Sequence, residues 1–284
     1  LLGETYELVR EDKGIRVLCE KVCHKPVIYA FFAEAKEWTI NFNAMPAQKF
    51  WGKNIEIITQ GLTTLTMRQT GEVFTWQQPN TMLKNIIAGE KYGEPTGTIT
   101  VKSSSGYRAT VTFAKAGMFS GRLEDLTIIA HSPNKKQLPY TVKGKWTESL
   151  ILTTNTTERQ IWTVGALISN SDKRFGFTEF AGSLNSITAI EKGAIPPTDT
   201  RYRPDIRVYE KGDVDRAEEL KLKLEEDQRV RRRANEEAQK DHEVKFFDFV
   251  DDKLDCGLWV YRRGAKSYWN RRTNQDWDDL LKLW

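Results

Sequence analysis

Between Gly14 and Val164 the chain reads as a succession of short strands, and this limits the fold more than any other feature. Tyr107, Ala109, Val111 and Phe113 alternate with Arg108, Thr110 and Thr112. One side of such a segment is apolar and the other polar, the two-residue period of a half-buried strand. Runs of the same kind cover 15–22, 27–35, 55–58, 62–67, 73–76, 98–101, 126–130, 140–146, 150–153 and 160–164. Turn formers part them: Lys13-Gly14, Gly52-Lys53-Asn54, Gly61, Gly71, Ser132-Pro133-Asn134 and Asn155. No helical pattern intervenes at each step, which disfavours a parallel α/β sheet. The expectation is a mainly β chain, an antiparallel meander closing into a sandwich or barrel.

The pattern changes after Phe175. Phe177, Phe180, Ala181, Leu184 and Ile187 recur at helical steps and predict a short amphipathic helix, which Ile195-Pro196-Pro197 breaks. Residues 205–243 are dense in charge and free of proline. Ala217, Leu220, Leu224 and Val230 form a narrow apolar stripe there, on a helix starting near Gly212-Asp213, where a carboxylate suits the dipole. The tail is aromatic. Phe246, Phe247, Phe249, Trp259, Trp269, Trp277 and Trp284 are expected to pack back onto the body. The division predicted is a β-barrel core over residues 1–175 and a C-terminal helical region over 176–284, together one functional domain.

Composition excludes several classes. Lys and Arg number 43 against 39 Asp and Glu, so a net charge of +4 gives no reason to expect nucleic acid. The basic run Arg229-Val230-Arg231-Arg232-Arg233 lacks interleaved aromatics, which also argues against it. No apolar run approaches the ~18 residues of a membrane span. Three cysteines are too few for a disulfide scaffold and suit a reducing, cytoplasmic setting. The opening Leu1-Leu2-Gly3-Glu4, without Met or a charged leader, reads as part of a longer chain.

Three groups of residues could carry chemistry. Cys19, Cys23 and His24, with Cys256 or His242, offer metal-ligand types. Cysteines four apart on a strand lie ~13 Å from each other, however, so two small buried thiols are the simpler reading and no metal is expected. His24 and Lys25 set an imidazole and an ammonium side by side where a strand meets Pro26, a pair suited to phosphate oxygens. Lys221, Glu225 and Arg229 repeat every four residues on one helix face, a pattern that a solvated salt-bridged surface also produces. No phosphate loop, G-x-S-x-G or H-E-x-x-H occurs, so no catalytic residue and no cofactor are expected. Glu20 and Glu148 are the nearest candidates for a working carboxylate, and structural salt bridges explain both as well.

Taken in order, these stretches resemble the lipid transfer domain of oxysterol-binding-protein-related proteins. Leu1-Leu2-Gly3-Glu4-Thr5-Tyr6-Glu7 is similar to that family's NPLLGETFE. Glu20-Lys21-Val22-Cys23-His24-Lys25-Pro26-Val27 looks like a degenerate copy of its EQVSHHPP signature. Lys49-Phe50-Trp51-Gly52-Lys53 matches KFWGK, and Pro196-Pro197-Thr198-Asp199-Thr200-Arg201-Tyr202-Arg203-Pro204-Asp205 resembles LPPTDSRLRPD. The matching blocks run the length of the chain in the family's order.

The resemblance implies a barrel around a hydrophobic tunnel with an N-terminal lid. The ligand it implies is phosphatidylinositol 4-phosphate, exchanged for a sterol or phosphatidylserine, at membrane surfaces or organelle contact sites visited peripherally from the cytoplasm. It implies head-group contacts from His24 and Lys25, at the paired-histidine positions, and from Lys221, Glu225 and Arg229. The departures are Lys21 for Gln, Cys23 for Ser, Lys25 for the second His and Val27 for the second Pro. They leave a second expectation open, a lipid-sensing or scaffold paralogue without exchange activity.

Overall fold

The computed structural model describes residues 1–115, 122–250 and 258–284. The strands run in chain order as β1 (Thr5–Arg10), β2 (Ile15–His24), β3 (Val27–Glu34), β4 (Trp38–Trp51), β5 (Asn54–Gln60), β6 (Leu62–Met67), β7 (Val73–Gln77), β8 (Asn80–Lys84), β9 (Tyr92–Thr96), β10 (Thr98–Ser103), β11 (Arg108–Phe113), β12 (Asp125–His131), β13 (Gln137–Lys145), β14 (Ser149–Thr153) and β15 (Glu158–Thr163). Three helices follow: α1 (Glu179–Ser183), α2 (Pro204–Tyr209) and α3 (Val214–Glu237). A hairpin of β16 (Phe247–Val250) and β17 (Leu258–Tyr261) precedes α4 (Tyr268–Asn274). The mainly β, antiparallel chain with C-terminal helices is the class expected. The predicted strand over 62–67 matches β6 residue for residue.

Two compact units divide the described chain. The first comprises Leu1–Asn43 and Asn185–Trp284, the second Ala44–Leu184. In the second, strand order follows β4-β6-β7-β10-β11-β12-β13-β14-β15, while β5 pairs with β4 and β8, and β8 with β9. The meander is therefore interrupted once, where β5, β8 and β9 branch off. Register puts apolar residues opposite one another. Ile99 faces Val111, Val111 faces Ile128, Phe113 faces Leu126, Ile128 faces Val142 and Val142 faces Leu152. They form one apolar wall, as the alternation at 107–113 predicts. Among the described residues of this unit, only Leu126 and Val142 of its apolar side chains are buried. The rest of the wall stays half-exposed.

The first unit is a packed core. β1, β2 and β3 form an antiparallel sheet with Thr5 opposite Glu20 and Leu18 opposite Phe32. Leu18, Ala30, Phe32, Phe246, Phe247 and Tyr268 are wholly or almost wholly buried. Tail aromatics pack in this core as expected. Phe246 meets Tyr268 edge-on at 4.9 Å, and Phe32 stacks on Tyr261 at 4.2 Å. Phe249 is the exception, more than half exposed, and it contacts only Trp259 among the aromatic rings described.

Buried charge knits the first unit together. The Arg201 guanidinium donates to both Asp199 carboxylate oxygens, at 2.8 and 2.9 Å, and to the Glu7 carbonyl at 3.0 Å. The Glu7 carboxylate accepts from Tyr268 Oη at 2.7 Å and from Arg272 Nε at 2.7 Å. Every one of these charges has its partner, so breaking a pair costs far more than the intact pair contributes. This joins β1, the turn at Thr200–Tyr202 and α4.

Candidate functional site

The signature strand β2 ends at His24 and turns through Lys25 and Pro26 into β3. Val22 and Ile28, both buried, pin the two arms of this hairpin, and a bulge lies between Lys21 and Cys23. Helix α3 is capped at its start by Asp213, whose side chain accepts from the Arg216 amide at 3.1 Å. That is an N-cap near the predicted start. Its buried side carries Ala217 and Leu224, half of the predicted stripe, whereas Leu220 is half-buried and Val230 is exposed. Steps of four and three beyond Leu224 reach Gln228, Arg231 and Asn235. These polar residues line a pocket of about 870 Å³ within the first unit.

The basic lining comprises His24, Lys25, Arg231, Arg232, Lys240 and His242. Glu236 and Asp241 supply the carboxylates and Leu281 an apolar floor. Four full cations thus face two acids. His24 Nδ1, His242 Nε2 and Arg231 Nη2 are buried without a hydrogen-bond partner. Arg232 Nε also lacks one, though it lies 3.3 Å from the Glu236 carboxylate. Burial, then the nearby Lys21, Arg232 and Lys25 charges, push the His24 pKa below its ordinary value. His242 is also pushed down, by burial and by Lys245, with Glu243 opposing. Two imidazole nitrogens and two guanidinium nitrogens without hydrogen-bond partners thus line one cationic pocket, and buried polar atoms left unpaired are expensive.

His24 and Lys25 both line this pocket. Lys221, Glu225 and Arg229 do not line it. They lie on exposed turns of α3, where Lys221 pairs with Glu218 at 3.2 Å and Arg229 with Glu226 at 3.0 Å and Glu225 at 3.4 Å. Arg231, Arg232 and His242 join the site although sequence reasoning saw the first two only as part of a basic run and the third only as a possible metal ligand.

Cys19 and Cys23 are outside the pocket. Burial lifts the Cys19 thiol to about 12, so it behaves as a small apolar group, and no metal-type cluster occurs among the described residues. Cys256 lies outside the described residues.

Of the two candidate carboxylates, Glu148 is an exposed partner of Lys145 at 2.8 Å. Glu20 is no salt bridge. Its buried carboxylate accepts the Lys245 and Phe246 amides at 3.0 and 2.9 Å, tying the tail to β2, and burial raises its pKa to about 7.

A family model described as oxysterol-binding protein matches residues 1–273. The chain belongs to the oxysterol-binding protein family. It is 50% identical over its whole length to oxysterol-binding protein homolog 3 of Saccharomyces cerevisiae, covering 28% of that protein. It is 34% identical to human oxysterol-binding protein-related protein 6, covering 30% of it. The chain thus spans under a third of the length of these relatives. The crystal structure of the Osh3 ORD in complex with PI(4)P from Saccharomyces cerevisiae superposes with a TM-score of 0.90 at 50% identity, covering all of this chain and 74% of that one. The Osh1 ORD in complex with cholesterol gives 0.86 at 25% identity, covering all of this chain and 72% of that one. No helix among the described residues is long and apolar enough to cross a membrane.

Proposed function

We propose that this chain binds and transfers lipid, taking phosphatidylinositol 4-phosphate and exchanging it for a sterol or phosphatidylserine. The observation that carries the reading is the convergence of His24 and Lys25 with unpaired cationic donors in one pocket. A phosphomonoester supplies the acceptor oxygens those donors lack. Acyl chains or a sterol need apolar surface, and the half-exposed wall of Val111, Ile128 and their neighbours offers it. Removing apolar surface from water contributes roughly 25 cal/mol per Å². Family likeness to a structure bound to PI(4)P and to one bound to cholesterol supports both halves. The chain acts as one functional lipid-binding domain that meets membranes peripherally from the cytoplasm. The activity is binding and release, not turnover.

Lys221, Glu225 and Arg229 complete the head-group site in this reading. Their present ion pairs are exposed, and such pairs are worth little, so the cations can be redirected to a ligand at small cost. Extraction of phosphatidylinositol 4-phosphate from liposomes tests the assignment. Lys25→Ala should lower it strongly, and so should Lys221→Ala and Arg229→Ala. Full extraction by both Lys221→Ala and Arg229→Ala removes that helix face from the site.

The four altered signature positions favour a second reading, a lipid-sensing or scaffold protein that holds lipid without exchanging it. A combined Lys25→His and Val27→Pro substitution separates the two. A jump in transfer rate points to lost exchange, and an unchanged rate to an adapted site.

A further inference from the structure

The head-group reading leaves one position unexplained. Where the family signature places a second histidine, this chain has Lys25, an exposed ammonium. An ammonium supplies charge but not the flat, directional N–H of an imidazole. A second imidazole is nevertheless in the pocket. His242 comes from the segment after α3, more than two hundred residues from His24, and lines the same cavity.

Its setting is that of a held binding group. Gly3 has a φ of +80°, and a Cβ there would stand 3.1 Å from His242 Cε1, so a bare glycine backbone gives the ring its seat. Its Nε2 is buried and bonded to nothing. Arg231 Nη2, also unpaired, belongs to the same lining. The charges around the ring are Lys245 and Glu243 on its own segment, with Lys240, Asp241, Arg231, Arg232, Glu236 and Lys25 along the pocket. Cations outnumber acids, which suits a doubly charged phosphate.

We propose that His242 is the second phosphate-binding imidazole of this chain, acting with Arg231 in the role that the signature's second histidine has given up at Lys25. The ligand chemistry is a phosphomonoester, and the inference rests on the head-group reading above. His242 Nε2 donates to a phosphate oxygen, Arg231 adds a charge-assisted bond, and Lys25 contributes charge from the rim.

The test is binding of the 284-residue chain to liposomes holding phosphatidylinositol 4-phosphate or, in a parallel arm, unphosphorylated phosphatidylinositol. His242→Ala should weaken binding to the phosphorylated lipid tenfold or more and leave the other within twofold. His242→Gln, which keeps bulk and an N–H, should recover part of the loss and guards against misfolding of the alanine variant. In a Lys25→His background the cost of His242→Ala should shrink at least threefold, which a merely structural histidine would not do. Inorganic phosphate distinguishes the source: millimolar phosphate binding to the lipid-free chain as tightly as the phosphorylated lipid does, and losing that binding in His242→Ala, would assign the site to free phosphate and overturn the head-group form of the proposal. Equal losses for both lipids, or full binding by a folded His242→Ala protein, overturn it outright. If His24→Ala and Lys25→Ala lose binding while His242→Ala keeps it, this inference fails and the head-group reading stands. If none of the three matters, both fall.

Discussion

Glu20 shows how one residue can look like chemistry and be architecture. The signature's leading glutamate suggests an acid near a ligand, yet its carboxylate is spent on two backbone amides of the tail. Nothing in the sequence could reveal this, because the amides belong to Lys245 and Phe246, over two hundred residues away. Its pKa of about 7 against an ordinary 4.5 has a consequence for stability. Between those values the folded protein holds a proton that the unfolded chain has lost. Stability therefore falls as pH rises through that window, by about 3 kcal/mol at 1.36 kcal/mol per pKa unit. Urea denaturation at pH 5.0, 6.0 and 7.5 should show that slope in the wild type and a shallower one in Glu20→Gln. The glutamine accepts only one of the two amides, so it should be weaker at pH 5.0 with the gap narrowing toward pH 7.5; parallel slopes would remove Glu20 from the pH response. His24 titrates in the opposite sense. It is neutral at neutral pH, and a bound phosphate would favour its protonated form. Affinity for phosphatidylinositol 4-phosphate should rise from pH 7.5 to 6.5 in the wild type relative to His24→Gln, the comparison cancelling the phosphate's own titration.

Among the elements, α3 joins stability and recognition on one helix face. Leu224 is 4% exposed and Leu222 is 54% exposed. Leu224→Ala should cost about 2–5 kcal/mol by denaturant titration, and Leu222→Ala under about 0.5 kcal/mol. A comparable loss in both would mean the helix is not seated by its buried edge. This helix was legible because its apolar positions, its lack of proline and its Asp213 cap agree. What sequence reading missed was its continuation: the three- and four-residue steps run past Leu224 into Gln228, Arg231 and Asn235, polar residues on the buried side. Polarity there ends the apolar stripe to the eye, and only the structure shows that the face goes on to line a pocket. The strands show a similar limit. β11 was plain from alternation, but β4 contains Asn41, Asn43 and Pro46, β8 directly follows Pro79, and β9 contains Gly93 and Pro95, residues that local propensity counts against a strand. Asn43 is in fact buried, exchanging bonds with the Trp259 backbone, so long-range pairing overrides local preference there. β1 and the β16–β17 hairpin went unseen for other reasons: the buried side of β1 carries the polar Thr5 and Glu7, and β16 and β17 are only four residues long.

At the scale of the whole molecule, the two units have opposite interiors. The first packs aromatic and aliphatic side chains around the paired charges of Glu7, Asp199 and Arg201, the arrangement of a conventional core. The second has a register-matched apolar wall that the protein itself leaves half-exposed. A bare apolar wall on a protein not built to bind is a liability, because it invites association. On a lipid carrier it is the working surface. The two readings separate by substitution at the middle of the wall, where Val111 sits between Ile99 and Ile128. Val111→Asp replaces an apolar contact by a carboxylate that acyl chains and sterols must desolvate, at a cost to the strand itself of about 1 kcal/mol on the β-propensity scale. The variant should melt within a few degrees of the wild type. Its extraction of phosphatidylinositol 4-phosphate, phosphatidylserine and sterol from liposomes should fall together, whatever the head group. His24→Ala should instead lose phosphatidylinositol 4-phosphate and keep the sterol. Undiminished extraction of all three lipids by a folded Val111→Asp protein would mean that the wall does not hold lipid tails, and that the apolar part of the ligand is bound elsewhere.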